Sequence, residues 1–465
     1  MSRLSAENDG AVSGTIERPS FLCLQFAFEN GDNGRDLEAK CQAMTTNQRA
    51  GPLPENQNNT YDIAISGASF AGLALAASLR FSLGRDVRIC IIDRAAAPVV
   101  TASDSRAFAI WAASKNLLQA LGVWERIAVD AEPMIKIEIT DSALDDGIRP
   151  TLVTYDARTA SGEPAAYVVP SGVLLAELYR LVAAEKDIAW EAPAEAIGLE
   201  AGEFADTIEL SDGRKISARL VVAAEGRNSK LRDAAGIKTT GWGYAQTGIV
   251  ATVAFSEPHG GIAVQHFLPG GPFAILPLKD NRACITWSAA SAEAERMMAL
   301  DDAAFLNELD HRIGGRFGPI SLSGTRQSWP LDLKMARSLT APRFALIGDA
   351  AHGVHPIAGQ GVNLGFRDVA ALTECVSDAV RLGDDFGSAS ALERYSSWRR
   401  FDTTMSAAAY DGLNRLFSID NFLLRAGRDA GLSLVDRIPA LKTMWVEEAA
   451  GLTGDIPKLL KGGRV

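Results

Sequence analysis

Short apolar runs separated by glycine turns mark the first ordered part of this chain. Residues 61–66 (YDIAIS) predict a buried strand, 67–72 (GASFAG) a turn, and 73–83 (LALAASLRFSL) a helix. A second apolar run, 87–92 (VRICII), predicts another buried strand that ends at Asp93. A strand, a glycine turn, a helix and a second strand in this order are typical of a unit that binds a dinucleotide.

Polar and apolar residues alternate through the middle of the chain, roughly residues 130–340. Turn residues separate the alternating runs, which are typical of strands with one buried face. We therefore expect an antiparallel sheet here, together with a helix over 174–185 (LLAELYRLVAAE). The runs that carry the pattern are 135–140 (IKIEIT), 207–213 (TIELSDG), 248–255 (GIVATVAF), 273–278 (FAILPL) and 283–287 (ACITW).

Alternating strand and helix signals return after residue 340. The run 343–348 (RFALIG) predicts a strand, and a helix is expected from about Leu364 to Leu382. The remaining residues are mainly helical in composition, with breaks expected at Asp411-Gly412 and at Pro439. The helical spacing of four residues gives one apolar face, with a helix start expected at Pro439 inside it: Leu434, Ile438, Leu441 and Trp445.

Composition and charge restrict the class of protein. The chain is 47% apolar and 22% charged, which is typical of a soluble globular protein. Its length of 465 residues suggests two to four domains, or one large α/β unit with an insertion. The net charge of −11 argues against binding to nucleic acid, which requires a basic surface. Because no run of about 18 apolar residues occurs, we expect no membrane-spanning segment.

The first 60 residues differ from the rest in composition. They are rich in Asn, Gly, Glu and Gln, and such a segment cannot bury enough apolar area to offset the entropy of ordering. We therefore expect a disordered leader over residues 1–60. Both a functional extension and a natural start at Met44 fit this composition.

The cysteines and histidines form no metal-binding pattern. Five scattered cysteines without a CxxC pair give neither a zinc site nor a disulfide framework, and they suit a reducing cytoplasm. His352 and His355 are three residues apart but have no nearby cysteine or glutamate ligands, so we expect no metal.

The turn after the first strand has the residues that a nucleotide pyrophosphate requires. Gly67 permits a tight turn, and Gly72 lets the helix pack closely on the strand. Ser69 stands where a glycine is usual; it is small and can donate a hydrogen bond. The helix N-terminus offers free N–H groups to phosphates, and Asp93 can accept hydrogen bonds from ribose hydroxyls.

Two further motifs follow strand ends. In LVVAAEGRNSKLR (220–232), a strand ends at Glu225-Gly226 before a basic helix start, which alone also fits an ordinary solvated turn. In FALIGDAAHGVHPIAGQGVNLGF (344–366), Asp349 follows a predicted strand. Its carboxylate can bind a hydroxyl of a ribitol or of a second ribose. The glycines that follow leave backbone N–H groups free to meet a flat ring.

Together these motifs resemble the FAD-dependent aromatic hydroxylases of the para-hydroxybenzoate hydroxylase fold. The form HGVHPIAGQGVNLGFRDVAAL, with YSSWRRFDTTMSAAAYDGLNRLFS (395–418), looks more narrowly like the ubiquinone-biosynthesis hydroxylases of the UbiH/UbiF group. The similarity covers about residues 60–450. Two positions depart from the family pattern: Glu225 stands for the usual Asp, and Pro170-Ser171-Gly172 for the frequent Glu-Asn-Arg.

The resemblance implies a site for FAD. The 67–72 turn would contact the pyrophosphate, Asp93 the adenosine ribose and Asp349 the ribitol or pyrophosphate region. Arg106 would lie close to the FAD, and the 361–363 backbone would face the isoalloxazine. The cofactor-binding residues implied are Gly67, Ser69, Gly72, Asp93, Arg94, Arg106, Asp349, Pro356, Gly359, Gly361, Val362 and Asn363.

The resemblance also implies the domain organisation. We expect an α/β fold in which a Rossmann-like FAD-binding domain carries an inserted, mainly antiparallel substrate domain and a helical C-terminal region. The expected segments are FAD-binding residues 61–134, 215–238 and 341–400, a mixed segment 135–214 with substrate-domain strands and a connecting helix, substrate-domain residues 239–340, and the helical region 401–465.

The implied reaction is hydroxylation of the ring of a polyprenylated phenol, with dioxygen as co-substrate and NAD(P)H or a reductase as electron donor. No residue pattern names a catalytic base. Alternatives from the same fold are a hydroxylase of another aromatic compound, a flavin enzyme such as a prenyl-chain reductase, and a non-catalytic flavin-bound partner of a quinone-biosynthesis complex. The protein is expected in the cytoplasm.

The C-terminal region offers candidates for peripheral membrane contact. Leu413, Leu416 and Phe417 share a helical face, and an apolar cluster follows at 422–424. The same face could instead pack on the substrate domain or on a second subunit. The chain end, with Lys458, Lys461 and Arg464, is mildly basic and could favour an anionic surface.

Overall fold

The computed structural model describes residues 59–96, 104–141, 150–268, 270–418, 427–428, 431–432 and 435–465. The expected disordered leader over 1–60 therefore lies outside the described residues, except that the first strand already begins at Thr60. Leu434 and the apolar cluster at 422–424 also lie outside them.

Strands and helices alternate along the described chain. The strands are β1 (Thr60–Ser66), β2 (Ile89–Ile92), β3 (Ala107–Trp111), β4 (Glu132–Pro133), β5 (Lys136–Asp141), β6 (Val153–Asp156), β7 (Ala166–Pro170), β8 (Ile188–Glu191), β9 (Ala196–Glu200), β10 (Asp206–Leu210), β11 (Lys215–Ala223), β12 (Thr239–Phe255), β13 (Ile262–Leu268), β14 (Gly271–Leu278), β15 (Arg282–Ala290), β16 (Ile320–Leu322), β17 (Gln327–Ala336), β18 (Thr340–Ala341), β19 (Phe344–Leu346) and β20 (His352–Gly353). The helices are α1 (Phe70–Leu83), α2 (Ala112–Ala120), α3 (Trp124–Ile127), α4 (Ser171–Ala183), α5 (Lys230–Ala234), α6 (Ser291–Ala299), α7 (Asp302–Ile313), α8 (Gly361–Leu382), α9 (Ala389–Ser418) and α10 (Pro439–Ala450).

A mainly parallel sheet contains the first predicted strands. Its order is β18-β19-β11-β1-β2-β8, and β19, β11, β1, β2 and β8 all run parallel. Helix α1 contacts β1 and β2 and packs against α4 and α8. All four residues of β2 are buried, as expected for a parallel strand covered on both faces. The predicted Rossmann-like α/β fold is confirmed.

A second, mainly antiparallel sheet has the order β20-β17-β12-β15-β14-β13-β5-β6, with a parallel pair only between β13 and β5. Side chains alternate between its two faces. One face packs under α6 and α7, where Met297, Phe305 and Leu309 are fully buried. The other face lines a cavity. The predicted antiparallel insertion is confirmed. A small third sheet has the strand order β3-β7-β4.

The run 207–213 was wrongly expected in the antiparallel insertion. It forms β10, which pairs with β11 and so extends the mainly parallel sheet. The reason is local: β10 and β11 are joined by a short turn in which the N–H of Gly213 donates to the carbonyl of Leu210, so the hairpin partner is the next strand in sequence.

The break expected at Asp411-Gly412 was also wrong. Helix α9 continues through Asp411-Gly412, because packing against α8, β13 and β14 holds it in place. The helix start predicted at Pro439 is confirmed. The apolar face through Ile438, Leu441 and Trp445 is only partly covered, since Ile438 and Trp445 are 37% and 52% exposed. Since α10 begins at Pro439, Ile438 lies at its cap, and the buried residues are Val446 and Ala450.

The end of the chain is part of the core. Leu459 and Leu460 are buried in the main cluster and contact α2. The backbone N–H of Lys458 donates to Glu374 (2.8 Å), and Asn116 donates to the carbonyl of Leu460 (2.9 Å). In the described part of the chain, no helix is both long enough and apolar enough to cross a membrane.

Candidate functional site

A cavity of about 980 Å³ lies between the carboxyl ends of the parallel strands and one face of the antiparallel sheet. The residues that directly follow β1, β2, β11 and β19 line one side of it, as expected for the ligand crevice of an α/β sheet. Most of the residues that the resemblance implies for cofactor binding line this cavity: Gly67, Ser69, Asp93, Arg94, Arg106, Asp349, Pro356, Gly359, Gly361 and Val362.

The glycines of the first turn are required by close backbone contacts. Gly67 has φ +109°, and a Cβ atom there would lie 2.4 Å from the carbonyl oxygen of Ala224. A Cβ atom at Gly72 would lie 1.9 Å from the carbonyl oxygen of Gly67. Gly72 therefore shapes the turn without lining the cavity. Ser69 is the N-cap of α1 and is exposed on the cavity side, with no side-chain cap hydrogen bond.

Asn363, the other predicted residue that does not line the cavity, joins two of its walls. Its side chain is buried; the amide oxygen accepts from the N–H of Trp111 (3.1 Å), and Nδ2 donates to the carbonyls of Ala109 (2.8 Å) and Gly359 (3.0 Å). Asn363 thus fixes the start of α8 against β3.

Asp93 is held at the end of β2 by the turn it faces. Its Oδ2 accepts from the N–H of Ala68 (2.6 Å), and its Oδ1 accepts from the N–H of Ala95 (2.8 Å). A carboxylate has about four lone-pair sites, so hydroxyl donors can still bind.

Glu225, the departure from the family's Asp, is fully engaged by its surroundings. One carboxylate oxygen accepts from the hydroxyl of Ser66 (2.8 Å). The other accepts from the hydroxyl of Ser229 (2.5 Å) and the N–H of Leu231 (3.1 Å). Its extra methylene group lets the carboxylate join β1 to the start of α5.

Arg227 connects the nucleotide side of the cavity to the antiparallel sheet, and the sequence did not single it out. Its Nε donates to Asp349 (3.2 Å), Nη1 to the carboxylate and carbonyl of Asp332, and Nη2 to the carbonyl of Val354 (2.8 Å). A Cβ atom at Gly353 would lie 3.2 Å from three Arg227 side-chain atoms, so Gly353 leaves space for the guanidinium.

Arg106 is oriented by a carboxylate that Ser171 also holds. Arg106 donates to both oxygens of Asp104 (Nε to Oδ1 3.0 Å, Nη2 to Oδ2 2.9 Å), and the Ser171 hydroxyl donates to Oδ2 (2.6 Å). Burial raises the pKa of Asp104, but these hydrogen bonds outweigh it and hold the pKa below its ordinary value. Ser171, in the segment that departs from the family, therefore has a defined partner.

A buried ionic network holds the turn at Gly348-Asp349. Asp368 on α8 accepts from the N–H of Gly348 (2.9 Å), from His352 and from Nε of Arg399 on α9 (2.7 Å). Although burial opposes charge, the two cationic neighbours lower the pKa of Asp368, and Asp368 raises the pKa of His352. The network fixes the Gly348-Asp349 turn to both long helices.

His355 differs from His352 because it lacks an anionic partner within hydrogen-bonding distance. Both its ring nitrogens are buried without a hydrogen-bond partner among the described residues, and its ring meets Tyr244 edge-on at 5.3 Å. Burial, aided by the Arg227 charge, lowers the pKa of His355 to about 4, so the ring is neutral at pH 7. No group of three or more potential metal ligands occurs within the described ranges.

The opposite half of the cavity is mostly apolar. Leu413 and Phe417 of α9 line it, and Phe417 stacks on Phe267 of β13 with ring centroids 3.8 Å apart. Of the face considered for membrane contact, only Leu416 is exposed (42%). Trp445, Val446 and Ala449 of α10 also line it.

Comparisons with known proteins agree with this arrangement. A family model described as FAD binding domain matches residues 60–402. The ubiquinone hydroxylase UbiL of Rhodospirillum rubrum is 37% identical over 421 residues, covering 89% of this chain and 95% of that protein. The 3-demethoxyubiquinol 3-hydroxylase of Escherichia coli is 33% identical and covers 85% of this chain and 100% of its own.

Solved structures show the same fold at lower sequence identity. The p-nitrophenol 4-monooxygenase PnpA of Pseudomonas putida superposes with a TM-score of 0.69 at 17% identity, covering 85% of this chain and 100% of that one. PqsL of Pseudomonas aeruginosa gives a TM-score of 0.66 at 20% identity, covering 80% and 99%.

Fold and site together define an FAD-dependent hydroxylase. The chain belongs to the FAD-binding-domain family and, within it, to the UbiH/UbiF group that the sequence motifs resemble.

The residues around the cavity fit the cofactor of this family. Helices α1 and α8 both begin at the cavity, so their N-termini offer N–H groups and positive dipole ends to anionic groups. A Cβ atom at Gly361 would meet nothing within 4 Å, so the backbone there is open. The Asp349 side chain is 43% exposed although Arg227 holds it, which leaves oxygen lone pairs for a hydroxyl.

Proposed function

We propose that this protein is an FAD-dependent monooxygenase that hydroxylates the aromatic ring of a polyprenylated phenol or quinone precursor in ubiquinone biosynthesis. The observation that carries the proposal is a continuous cavity with nucleotide-binding turns on one side and an apolar wall on the other. Bound FAD supplies the activation of dioxygen that ring hydroxylation needs. The names of the two relatives above support the same substrate class.

In this proposal each group of predicted residues binds a different part of FAD. The 67–72 turn and the N-terminus of α1 bind the pyrophosphate, and Asp93 binds the adenosine ribose. Asp349, oriented by Arg227, binds the ribitol chain. Residues 361–363 present backbone to the isoalloxazine, and Arg106, which lines the cavity, lies close to the FAD.

The apolar wall holds the substrate and excludes water. Its residues come from the antiparallel sheet and from α9 and α10, so a ring bound there is enclosed on several sides. Water exclusion protects reactive oxygen chemistry from unproductive side reactions. No residue acts as a covalent nucleophile in this proposal.

Electrons come from NAD(P)H or a reductase, and the substrate is drawn from a membrane or from a partner protein of the quinone pathway. Trp445 supports the membrane route, because it lines the cavity and is also 52% exposed. Exposed Met444 directly precedes Trp445, and exposed Ile438 lies seven residues before it. In this proposal they give the cavity an apolar rim that suits peripheral contact on the cytoplasmic side.

Two measurements test this function. Purified protein should be yellow and release FAD on acid treatment, and a deletion strain should accumulate an under-hydroxylated prenylphenol. An unchanged quinone profile with FAD bound would favour hydroxylation of another aromatic compound. Bound FAD without oxygen uptake on addition of reductant and prenylphenol would favour a non-catalytic partner.

A further inference from the structure

One row of cavity-lining residues crosses the antiparallel sheet on five neighbouring strands. The pairing registers place them side by side, and all five line the cavity: Ile139, Gln265, Ala274, Thr286 and Val250. Two of the five are polar, and they lie two strand spacings apart, about 10 Å between their backbones. The small Ala274 between them leaves open space above the sheet.

Gln265 has an amide group that the described residues leave unsatisfied. Its Nε2 is buried and has no hydrogen-bond partner among them. Buried polar groups are nearly always paired, so an unpaired donor on a cavity wall calls for a partner inside the cavity. A turn about the last side-chain bond exchanges the amide oxygen and nitrogen, so either can face a ligand.

The charge distribution around the cavity restricts what that ligand can be. Among the described residues, the strands of the antiparallel sheet contribute no lysine or arginine to the lining. The cationic residues that line the cavity belong to the nucleotide side: Arg94, Arg106, Arg227 and Lys230. A carboxylated ring would find no counter-charge at this wall, whereas a neutral ring with a phenol or methoxy oxygen can accept from an amide.

We propose that Gln265 donates a hydrogen bond to an oxygen substituent on the aromatic ring of the substrate. This contact selects neutral, oxygen-substituted rings and fixes the orientation of the ring within a mostly apolar wall. The inference rests on the proposed function, since it assumes that an aromatic substrate occupies this half of the cavity.

Ligand binding to the FAD-loaded protein tests the proposal without turnover. Tryptophan fluorescence can report binding, because Trp329 and Trp445 line the cavity. The probes are geranylphenol and geranylbenzene, which differ only in the hydroxyl group. Wild-type protein should bind the phenol about tenfold more tightly, the worth of one hydrogen bond in a site that excludes water.

Gln265→Leu should reduce this preference to near unity while it retains affinity for geranylbenzene and a full content of FAD. Gln265→Glu, which keeps the size but cannot donate when ionised, should lose the preference too. Gln327→Leu is the matched control, because Gln327 pairs with Val250 in the same row but does not line the cavity. It should leave the preference unchanged.

The outcomes separate this inference from the function on which it rests. If wild-type protein bound both compounds and Gln265→Leu kept the tenfold preference, the inference alone would be overturned. A wild type without any preference for the phenol would also overturn it. If wild-type protein with full FAD bound neither compound, the proposed function would fail together with the inference.

Discussion

At the scale of single residues, two carboxylates that follow buried strands, Asp93 and Asp349, are predicted to bind hydroxyl groups of the cofactor. Asp349 is held by Arg227 at 3.2 Å and is partly open to the cavity. Asp349→Ala should weaken FAD binding by about 1–3 kcal/mol, since it removes a hydrogen-bond acceptor for a cofactor hydroxyl. FAD occupancy and Kd, measured by flavin absorbance after gel filtration, check this. Exposed Asp130→Ala is the control, and equal occupancy in the two variants would refute the assignment of Asp349.

His355 should make stability depend on pH in a defined window. Its pKa is lowered to about 4 in the folded protein from an ordinary value of 6.5. The unfolded chain therefore takes up a proton first as pH falls, so stability is full above about pH 6.5 and decreases toward pH 4. At pH 5 the loss is about 2 kcal/mol.

Urea unfolding of wild type and His355→Phe at pH 7 and pH 5 measures this contribution. Phenylalanine keeps an aromatic ring against Tyr244, and the other titrating groups are the same in both proteins. The wild type should lose more stability than the variant between the two pH values. Parallel losses would show that His355 does not titrate as expected.

The sequence predicts residues whose role depends on a local motif and misses those whose role depends on distant partners. The turn at Gly67 and the carboxylates Asp93 and Asp349 follow from strand ends that the apolar pattern reveals. Arg227 has partners 105 and 122 residues away, and no local pattern indicates such pairings. The available signal was a basic residue four positions after the end of a buried strand.

At the scale of elements, Asp368 connects α8 and α9 to the Gly348-Asp349 turn. Asp368→Asn removes the buried counter-charge of His352 and one of the two carboxylates that pair with Arg399, the other being Asp402. Removal of one partner of a buried ion pair costs about 3–5 kcal/mol. The melting temperature and FAD retention should therefore fall together. The matched control is Asp378→Asn on the same helix, whose pair with Arg394 is more exposed and worth less than about 1 kcal/mol. Similar melting temperatures for both variants would contradict the role given to Asp368.

Helix and strand identity follow from periodicity, whereas sheet membership and helix ends depend on packing. The run 361–382 forms one helix close to its predicted start because its apolar spacing is regular. The strand over 206–210 joins a different sheet than expected because a tight hairpin outweighs position along the chain. Helix α9 passes through Gly412 because neighbouring elements hold it, although glycine lowers intrinsic helix propensity.

At the scale of the whole molecule, residues 458–465 and α10 have different roles, which the sequence did not separate: the first belongs to the core and the second exposes apolar surface. The basic chain end was a candidate for contact with a membrane, yet Leu459 and Leu460 are buried in the FAD-domain core. Exposed apolar residues at and beside the cavity lining are found on α10, where Met444 is 53% exposed next to the cavity-lining Trp445. Removal of residues 446–465 should therefore lower stability and FAD content together, in contrast to a loosely attached tail.

Point substitutions separate the two roles. Leu460→Ala should destabilise the protein by about 2–5 kcal/mol because it leaves a cavity in the core, whereas exposed Lys461→Ala should change the melting temperature little. Met444→Ser should leave the melting temperature unchanged and reduce sedimentation with liposomes, since it removes apolar surface at the rim of the cavity. Because the contact is apolar, added salt should not release the protein. If Leu460→Ala reduced sedimentation at an unchanged melting temperature, the end of the chain, and not α10, would be the membrane contact.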